Sequence, residues 1–523
     1  MEARSQSASK WCPVRAAYQE TMIRRILKML GAMGGGMGAT LITQFLLPPA
    51  FLYYYGVSKY GEWLVLSATV SYLSTLNFGI TTYASNELTM LRKRGEMDKY
   101  CELQGSTLAL LLCMICVGIA VSASVFFLPL PRLLHLSTIS PMEVILTAFF
   151  LGLQVMINIL AGYYDALFMV IEKSHLGIIW PTVRRLSAVL ICIPLAMLRV
   201  QFHVIAIGQF AAVLIVMLLA VTDLKRRMGN LPLGLQGANW KTARASLAPS
   251  GMFAMIFTQG FLIYQAPVIL LQWILGPKIV VLFSISRTIL ATARQLLAFI
   301  TNAIAPEITF SFAVQDMKKL LNIFHYSEKI VYSGIPIANL GAFLFSPILL
   351  QVWLHNPLLF DPYTYGLMAL ISGAMSMREH KQFFQFSTNT HKRLSIIVFF
   401  GNLLMIAVSV PFTIQFGLHG FMFVWLASEV SQMGLLYHEN KKLFHNDPSI
   451  NFIPVVKLAL VMLVSLPVCV GLLRYAQQRS LSMVCGVAVM GVIMVAAESY
   501  FAFGLKDVWN EFQRRIRRRP ASG

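Results

Sequence analysis

The sequence predicts an all-α, polytopic membrane protein with about fourteen transmembrane helices. Hydrophobic residues make up 57% of the 523-residue chain, whereas charged residues make up only 12%. The mean hydropathy of +0.68 is far from the balance of a soluble globular chain. Long apolar windows recur along nearly the whole chain, and basic residues concentrate in alternate polar segments between them. These observations favour a chain that crosses a membrane many times.

Each apolar window is long enough to cross a hydrocarbon core of about 30 Å as an α-helix. The predicted spans are residues 29–54, 61–86, 105–129, 142–169, 176–198, 203–222, 249–275, 279–304, 329–354, 363–386, 394–414, 418–437, 452–473 and 480–504. The longest outer loop, 130–141, has only a dozen residues. The function is therefore expected to lie within the bilayer.

The distribution of Lys and Arg tests this layout independently of hydropathy, because positively charged loops stay on the cytoplasmic side. With the N-terminus inside, the inner segments carry 31 of the 42 basic residues, the outer loops carry 6, and 5 lie within spans. In that count Lys329, Arg378 and Lys381 are assigned to inner span ends. Both termini are predicted to be cytoplasmic, and the net charge of +20 predicts anionic membrane lipids, not nucleic acid, as its partners.

The predicted domains are a cytoplasmic N-terminal segment, a six-helix bundle, a cytoplasmic loop, a second six-helix bundle, two additional helices and a basic tail. Their ranges are 1–28, 29–222, 223–248, 249–437, 438–504 and 505–523. An internal repeat relates the two bundles, since Gly56 and Glu87 bracket the second span as Gly276 and Glu307 bracket the eighth. Because the offset of 220 residues covers six helices, an even number, the bundles are predicted to share one orientation.

Two arginines, Arg287 and Arg294, lie inside the eighth span. At 3.6 residues per turn they share one stripe with small residues, whereas Leu282, Ile285, Ile289, Leu296 and Phe299 form an apolar face expected to contact lipid. Counted from an outer end near residue 279, they lie roughly 12 Å and 22 Å deep. An arginine at this depth needs a cavity or a charged partner. A cavity-lining role is favoured over a buried ion pair, because this stripe contains no acid.

The repeat aligns Ser67, Ser71 and Ser74 with positions 287, 291 and 294, so these serines are predicted to line the same cavity.

Other intramembrane charges leave alternatives open. Asp165 and Arg184 are predicted to lie at similar depth in a helical hairpin, where a structural salt bridge is as plausible as a functional role. In the functional alternative, Arg184 and the adjacent Arg185 line the substrate cavity and Asp165 takes part in ion coupling. Glu429 lies near the middle of the twelfth span, where it could couple transport to a proton or sodium ion. A hydrogen-bonded interior acid is the slightly favoured interpretation of Glu429.

Several classes of chemistry lack a signature in the sequence. There is no phosphate-binding GxxxxGK[ST] loop, no HExxH and no His or Cys cluster with metal-ligand spacing, so no cofactor or metal is predicted. Transport driven by its own ATP hydrolysis is not expected. The seven cysteines are divided between spans and inner segments, which does not suggest disulfides. Since no cleavable signal peptide is visible, the first helix is expected to target the chain.

Several segments resemble those of a known transporter family. LLPPAFLYYYGVSKYGEW at 46–63 and LSTLNFGITTYASNEL at 73–88 have a G, YG, W and FG pattern in the first two helices. FGLHGFMFVWLASE at 416–429 resembles the family's twelfth helix, and SRTILATARQ at 286–295 resembles its eighth. The pattern is similar to that of the polysaccharide-biosynthesis (O-antigen type) flippases of the multidrug/oligosaccharidyl-lipid/polysaccharide exporter superfamily.

The resemblance implies two six-helix bundles facing each other in a V, with a central cavity that opens alternately to either side. Family members move undecaprenyl-pyrophosphate-linked oligosaccharides from the cytoplasmic to the periplasmic leaflet of the bacterial inner membrane. By this likeness Arg287 and Arg294 would bind the anionic ligand, since guanidinium groups match phosphate oxygens. The likeness further implies a protein that is not an enzyme and that works beside polysaccharide polymerase and co-polymerase proteins.

Alternatives remain within and outside this class. A multidrug or metabolite antiporter of the same superfamily typically has twelve helices and an acidic cavity, which fits an arginine stripe poorly. A lipid II flippase is harder to distinguish. A membrane polysaccharide polymerase or ligase is expected to carry a large catalytic outer loop, and the short outer loops disfavour it. A non-transporting membrane scaffold is a further alternative.

Overall fold

The computed structural model describes residues 12–77, 79–229, 231, 233–355, 359–388, 390, 392–477 and 480–504. This part of the chain is helical and contains no β-strand. The helices, numbered in chain order, are α1 Cys12–Ser71, α2 Ile80–Arg94, α3 Met97–Ala123, α4 Leu130–Leu133, α5 Pro141–Val170, α6 Leu176–Met197, α7 Phe202–Met228, α8 Trp240–Tyr264, α9 Ala266–Leu275, α10 Pro277–Ala313, α11 Met317–Leu354, α12 Pro362–Ser387, α13 Lys392–Leu443, α14 Ile453–Gln477 and α15 Leu481–Phe503. The basic tail predicted at 505–523 lies outside the described residues, as do positions 1–11.

Eleven helical segments of the described chain are long and apolar enough to cross a membrane. Two of them, Gly31–Arg92 and Lys392–Leu443, each contain two of the predicted spans, which are separated by non-helical glycines at Gly56 and Gly417. A further predicted span coincides with α12, which is not among the eleven and carries four consecutive polar residues, Arg-Glu-His-Lys. The prediction of an all-α multi-pass membrane protein is confirmed, while the count of fourteen and the cytoplasmic termini stay predictions.

The contacts divide the chain into two units. Unit 1 comprises the chain up to Tyr55, Val70–Leu133 and Ile139–Phe257. In it α5 packs against α7, α6, α3 and α2, and a small core of Ile80, Leu110 and Ala243 joins α2, α3 and α8. Unit 1 is thus organised around α5. The predicted domain boundaries at 222 and 249 stay predictions.

Unit 2 comprises Gly56–Thr69, Leu134–Thr138 and the chain from Thr258 onward. Here α10 packs against α9, α11 and α12, while α12 also packs against α13, and α11 against α15. A core of aromatic and aliphatic side chains, with Phe324, Phe384 and Phe444 among its members, lies near the start of α11 and the ends of α12 and α13. Helix α10 is consequently enclosed by neighbours on most sides.

This enclosure corrects one prediction about α10. Ile285 and Ile289, expected to face lipid, are only 1% and 4% exposed, whereas Leu296 is 54% exposed. The aromatic rings of Phe421 and Trp425 from α13 pack against Phe283 on α10, and these contacts explain why this end of the helix is covered. The side chain of Phe299 lies outside the described residues.

The glycines that define the internal repeat share one backbone conformation. Gly56 has φ 78° and ψ 172°, and Gly276 has φ 85° and ψ near 177°. This region of backbone space is open essentially to glycine alone. The repeats differ beyond these turns: residues 72–77 of the first form a 3₁₀ turn followed by a break at Gly79, whereas the equivalent part of α10 continues as a regular helix through Arg294.

Candidate functional site

Arg287 is held at a break between two helices of unit 2. Its Nη1 donates a hydrogen bond of 2.5 Å to the main-chain oxygen of Tyr264, the last residue of α8. The chain turns at Gln265 before α9, and Pro267 in the first turn of α9 has no N–H to donate, so carbonyls at the end of α8 lack regular helical partners. The guanidinium also lies 5.1 Å from the ring centroid of Phe283. Arg287 thus caps the negative end of α8.

No carboxylate of the described residues pairs with Arg287. Its recorded partners are a carbonyl oxygen and an aromatic face, and its side chain is only half-buried. A carbonyl and a ring supply partial charges, not a full negative charge, so the positive charge of Arg287 is uncompensated.

Arg294, two turns further along α10, has a different environment. Its Nη1 forms an ion pair with Oε1 of Glu379 on α12, and its Nη2 donates 2.9 Å to the hydroxyl of Tyr264. The side chain of Arg294 is 8% exposed and that of Glu379 is 34% exposed. The expectation of an arginine without an acidic partner is therefore not met, because the acid lies on a neighbouring helix and not on the stripe itself.

Tyr264 connects the two arginines. It accepts a hydrogen bond from Arg287 at its carbonyl and one from Arg294 at its hydroxyl. The arginines are seven residues apart, or about 10 Å along the helix axis. Both guanidiniums are thus oriented by one residue at the end of α8.

A small cavity of about 20 Å³ lies beside the ion pair. Its polar lining is Arg294, Thr301, Ser376, Glu379 and His380. This volume can hold about one water molecule. The pair is therefore packed closely on this side, and a cavity along the arginine stripe stays a prediction.

Four consecutive residues of α12 contact three different helices. Arg378 pairs with Glu429 of α13, Glu379 with Arg294 of α10, and Lys381 with Glu328 of α11. Between them the Nε2 of His380 lies 2.9 Å from the hydroxyl of Ser327 on α11. Successive residues of a helix point about 100° apart, which is why one short run meets helices on several sides. We call these four residues, 378–381, the α12 charge cluster.

The sequence places Arg378 and Lys381 at an inner span end and does not predict this cluster. The structure buries both side chains, at 2% and 1% exposure. A comparison of depths would have found one pair, since Glu379 and Arg294 each lie roughly 22 to 24 Å from the predicted outer ends of their spans.

Glu429 is fully buried and engaged. Its carboxylate lies 2.8 Å from Nε of Arg378, and the indole N–H of Trp425 donates to it at 3.2 Å. Glu429 is therefore an interior acid that is paired and hydrogen-bonded. A role in ion coupling stays a prediction, and it would require the pair with Arg378 to open.

In unit 1, Arg184 pairs with Asp165 across the hairpin of α5 and α6. The Nη2 to Oδ2 distance is 2.5 Å, and Nε of Arg184 also donates to Asn158 at 3.1 Å. Both charged side chains are nearly inaccessible, at 6% and 5% exposure. The ion pair that the sequence left open is thus present, and the guanidinium of Arg184 has a second partner in Asn158.

Arg185 points elsewhere, donating 2.5 Å to the hydroxyl of Thr40 on α1. The aligned serines also differ in position: Ser67 is half-buried in unit 2, while Ser71 is half-buried and Ser74 exposed in unit 1. Ser74 lies in the 3₁₀ turn that has no counterpart in α10. Their predicted part in a cavity remains a prediction.

Comparisons with known proteins find similarity in structure only, since no protein-family profile and no curated sequence matches the chain. A lipid II flippase, MurJ, in an inward closed conformation matches with a TM-score of 0.67 at 11% identity, covering 90% of this chain and 99% of its own. An inward-facing multidrug resistance transporter of the MATE family, MOP superfamily, matches with a TM-score of 0.59 at 11% identity, and the match covers 79% of this chain and 95% of the transporter chain. The MATE multidrug transporter DinF-BH matches with a TM-score of 0.53 at 14% identity, and the match covers 82% of this chain and 96% of the DinF-BH chain.

At identities this low the likeness concerns the fold. The matches extend over most of both chains. The chain therefore shares the fold of these solved flippase and multidrug transporter structures.

Proposed function

We propose that this protein is a flippase that moves undecaprenyl-pyrophosphate-linked oligosaccharides across the bacterial inner membrane for polysaccharide biosynthesis. The observation that carries the proposal is Arg287, a partly buried guanidinium within a predicted span that has only a carbonyl and a ring as partners among the described residues. A site with an uncompensated positive charge inside a membrane protein is suited to an anion that must cross the bilayer.

The surrounding charges favour an anionic substrate over a cationic one. Each of the carboxylates Glu328, Glu379 and Glu429 is paired with a basic side chain in unit 2. The two charges of each pair cancel, so Arg287 gives this group of residues a net positive charge. A cation exporter would be expected to offer an uncompensated carboxylate instead.

Arg294 would be the second ligand of the diphosphate. Its partner Glu379 is one-third exposed, so a substrate phosphate could replace this carboxylate without leaving the guanidinium unpaired at any stage. Forked guanidinium groups bind phosphate oxygens in pairs, which a lysine cannot reproduce. In the proposed site, Arg287 can bind the diphosphate directly, whereas Arg294 binds it by exchanging the carboxylate of Glu379 for a phosphate.

The test is transport of a fluorescent undecaprenyl-pyrophosphate-linked oligosaccharide in proteoliposomes. Arg287→Ala should lower the initial rate at least about tenfold, equivalent to losing about 1.4 kcal/mol of interaction with the anion. Arg287→Lys should recover only part of the rate, because the planar fork is lost. Arg393→Ala is the matched control, since that side chain is 71% exposed. Wild-type rates in Arg287→Ala would contradict the proposal.

A lipid II flippase is the second candidate function. It is favoured by the extent of the match to MurJ, which covers 99% of that chain. Both substrates carry a polyprenyl diphosphate, so Arg287 and Arg294 would bind either substrate equally well. Complementation separates them: rescue of a strain depleted of its lipid II flippase favours lipid II, whereas rescue of surface polysaccharide alone favours the oligosaccharide.

The driving force and the partners are also proposals. Glu429 and Asp165 are the predicted ion-coupling residues, yet both are buried in ion pairs. Polysaccharide polymerase and co-polymerase proteins would receive the product at the outer leaflet.

A further inference from the structure

A second polar cavity of unit 2 lies away from the arginines, at one end of α11, α14 and α15. It has a volume of about 470 Å³. Its polar lining includes Asn322, His325, Lys329, Ser449, Asn451 and Lys457. None of these residues belongs to the proposed transport site.

This cavity lies at the level of a predicted membrane boundary. Lys329 begins the predicted ninth span, Ile453 lies at the start of the thirteenth, and Phe503 at the end of the fourteenth, and all three line the cavity. Three span ends thus meet here, on the side predicted to be cytoplasmic. Such a position is where lipid head groups lie.

The charge of the cavity is positive. Lys329 is exposed and forms no ion pair with a described carboxylate, and Lys457 donates 3.2 Å to the main-chain oxygen of Ala502 at the end of α15. The one acid in the described lining, Glu328, is neutralised by Lys381 of the α12 charge cluster. His325 is held by a 2.9 Å contact with Ser449, and Asn451 donates 3.3 Å to the main-chain oxygen of Ser449. The two lysines, Asn322 and the second N–H of the Asn451 amide are left to meet a ligand.

An apolar stripe runs from the cavity along α14. Ile453, Val456 and Leu460 occupy one face of the helix and are 59%, 53% and 57% exposed. A ligand with a phosphate in the cavity could lay hydrocarbon chains along this stripe.

We propose that this cavity binds the head group of an anionic phospholipid from the cytoplasmic leaflet, with Lys329 and Lys457 holding the phosphate. Basic recesses between transmembrane helices on the cytoplasmic side are suited to such head groups. Asn451 and Asn322 supply neutral donors, and the stripe on α14 takes the acyl chains. The lipid is a structural ligand and is distinct from any transported substrate.

The experiment measures retention of phosphatidylglycerol by the purified full-length protein, using native mass spectrometry with phosphatidylcholine as the neutral comparison. The double variant Lys329→Gln/Lys457→Gln should bind phosphatidylglycerol about tenfold more weakly. The control Lys318→Gln/Lys392→Gln removes two exposed lysines outside the cavity and should bind as wild type. Asn451→Trp, which fills the cavity without changing charge, should also lose the lipid.

Three outcomes would overturn the proposal. Equal losses in both double variants would mean diffuse attraction to the surface, and unchanged binding in the cavity variants would mean that the lipid binds elsewhere. Displacement of phosphatidylglycerol by millimolar inorganic phosphate would identify a site for the free ion. Because no transport is measured, failure here leaves the proposed flippase function unaffected.

Discussion

Individual residues show where reasoning from sequence succeeds and where it fails. The depth of Arg287 and Arg294 within a predicted span indicated that each needs a cavity or a charged partner. The identity of those partners could not follow from the stripe alone, because Glu379 is 85 residues away in the chain. For Asp165 and Arg184 the short hairpin fixed the relative depth, and that local constraint was enough to predict their pairing as one of two alternatives.

The pair of Arg294 and Glu379 can be tested through Glu379→Gln. Removing the carboxylate should free Arg294 for the diphosphate and tighten substrate binding about tenfold, or about 1.4 kcal/mol. It should also lower the melting temperature, since a buried guanidinium loses its partner. Glu307→Gln, which disrupts a pair exposed by about half, is the control. Weaker substrate binding in Glu379→Gln would show that the carboxylate assists the site.

The buried pair of Arg378 and Glu429 allows a structural role to be separated from ion coupling. Glu429→Gln or Arg378→Met alone should destabilise the protein by about 3 kcal/mol, because one charge stays buried without a partner. The double variant Arg378→Met/Glu429→Leu should recover much of that loss. Thermal unfolding and transport are measured together. Recovered stability with abolished ion-dependent transport would assign coupling to Glu429.

At the scale of elements, apolar length predicted the helices and glycine predicted the turns between them. The repeat placed Gly56 and Gly276 at equivalent positions, and their backbone angles agree within about 10°. The 3₁₀ turn at 72–77 and the break at Gln265 were not predicted. Such breaks depend on which neighbouring groups satisfy the released carbonyls, as Arg287 does for Tyr264, and that information is tertiary.

Replacing Gly276 by alanine tests the turn. No atom lies within 4 Å of the added Cβ, so the expected loss of folding stability arises from the backbone conformation alone. Gly276→Ala should destabilise the protein by about 1 to 3 kcal/mol. Gly471→Ala, with equally open space but within a helix, should be neutral or slightly stabilising. A melting temperature unchanged in Gly276→Ala would contradict the strain argument.

At the scale of the whole molecule, the sequence predicted a multi-pass helical membrane protein, and its described residues form one. Each predicted span falls on helical structure, because bilayer thickness and backbone hydrogen bonding leave few alternatives. The charge network of unit 2 could not be predicted in the same way. It is assembled from α10, α11, α12 and α13, and no local pattern in one helix specifies the others.

The α12 charge cluster has a consequence for how the protein is made. A charged residue near the centre of a helix opposes insertion through the translocon by about 2.5 kcal/mol or more, and the cost is lower near the ends of the helix. Helix α12 has three charged residues within a run of four, and the partner of Arg378 lies on α13, which is synthesised later. We expect α12 to enter the bilayer only together with α13. In glycosylation mapping, a chain truncated after Ser387 should leave α12 uninserted, whereas one extended through Leu443 should insert it.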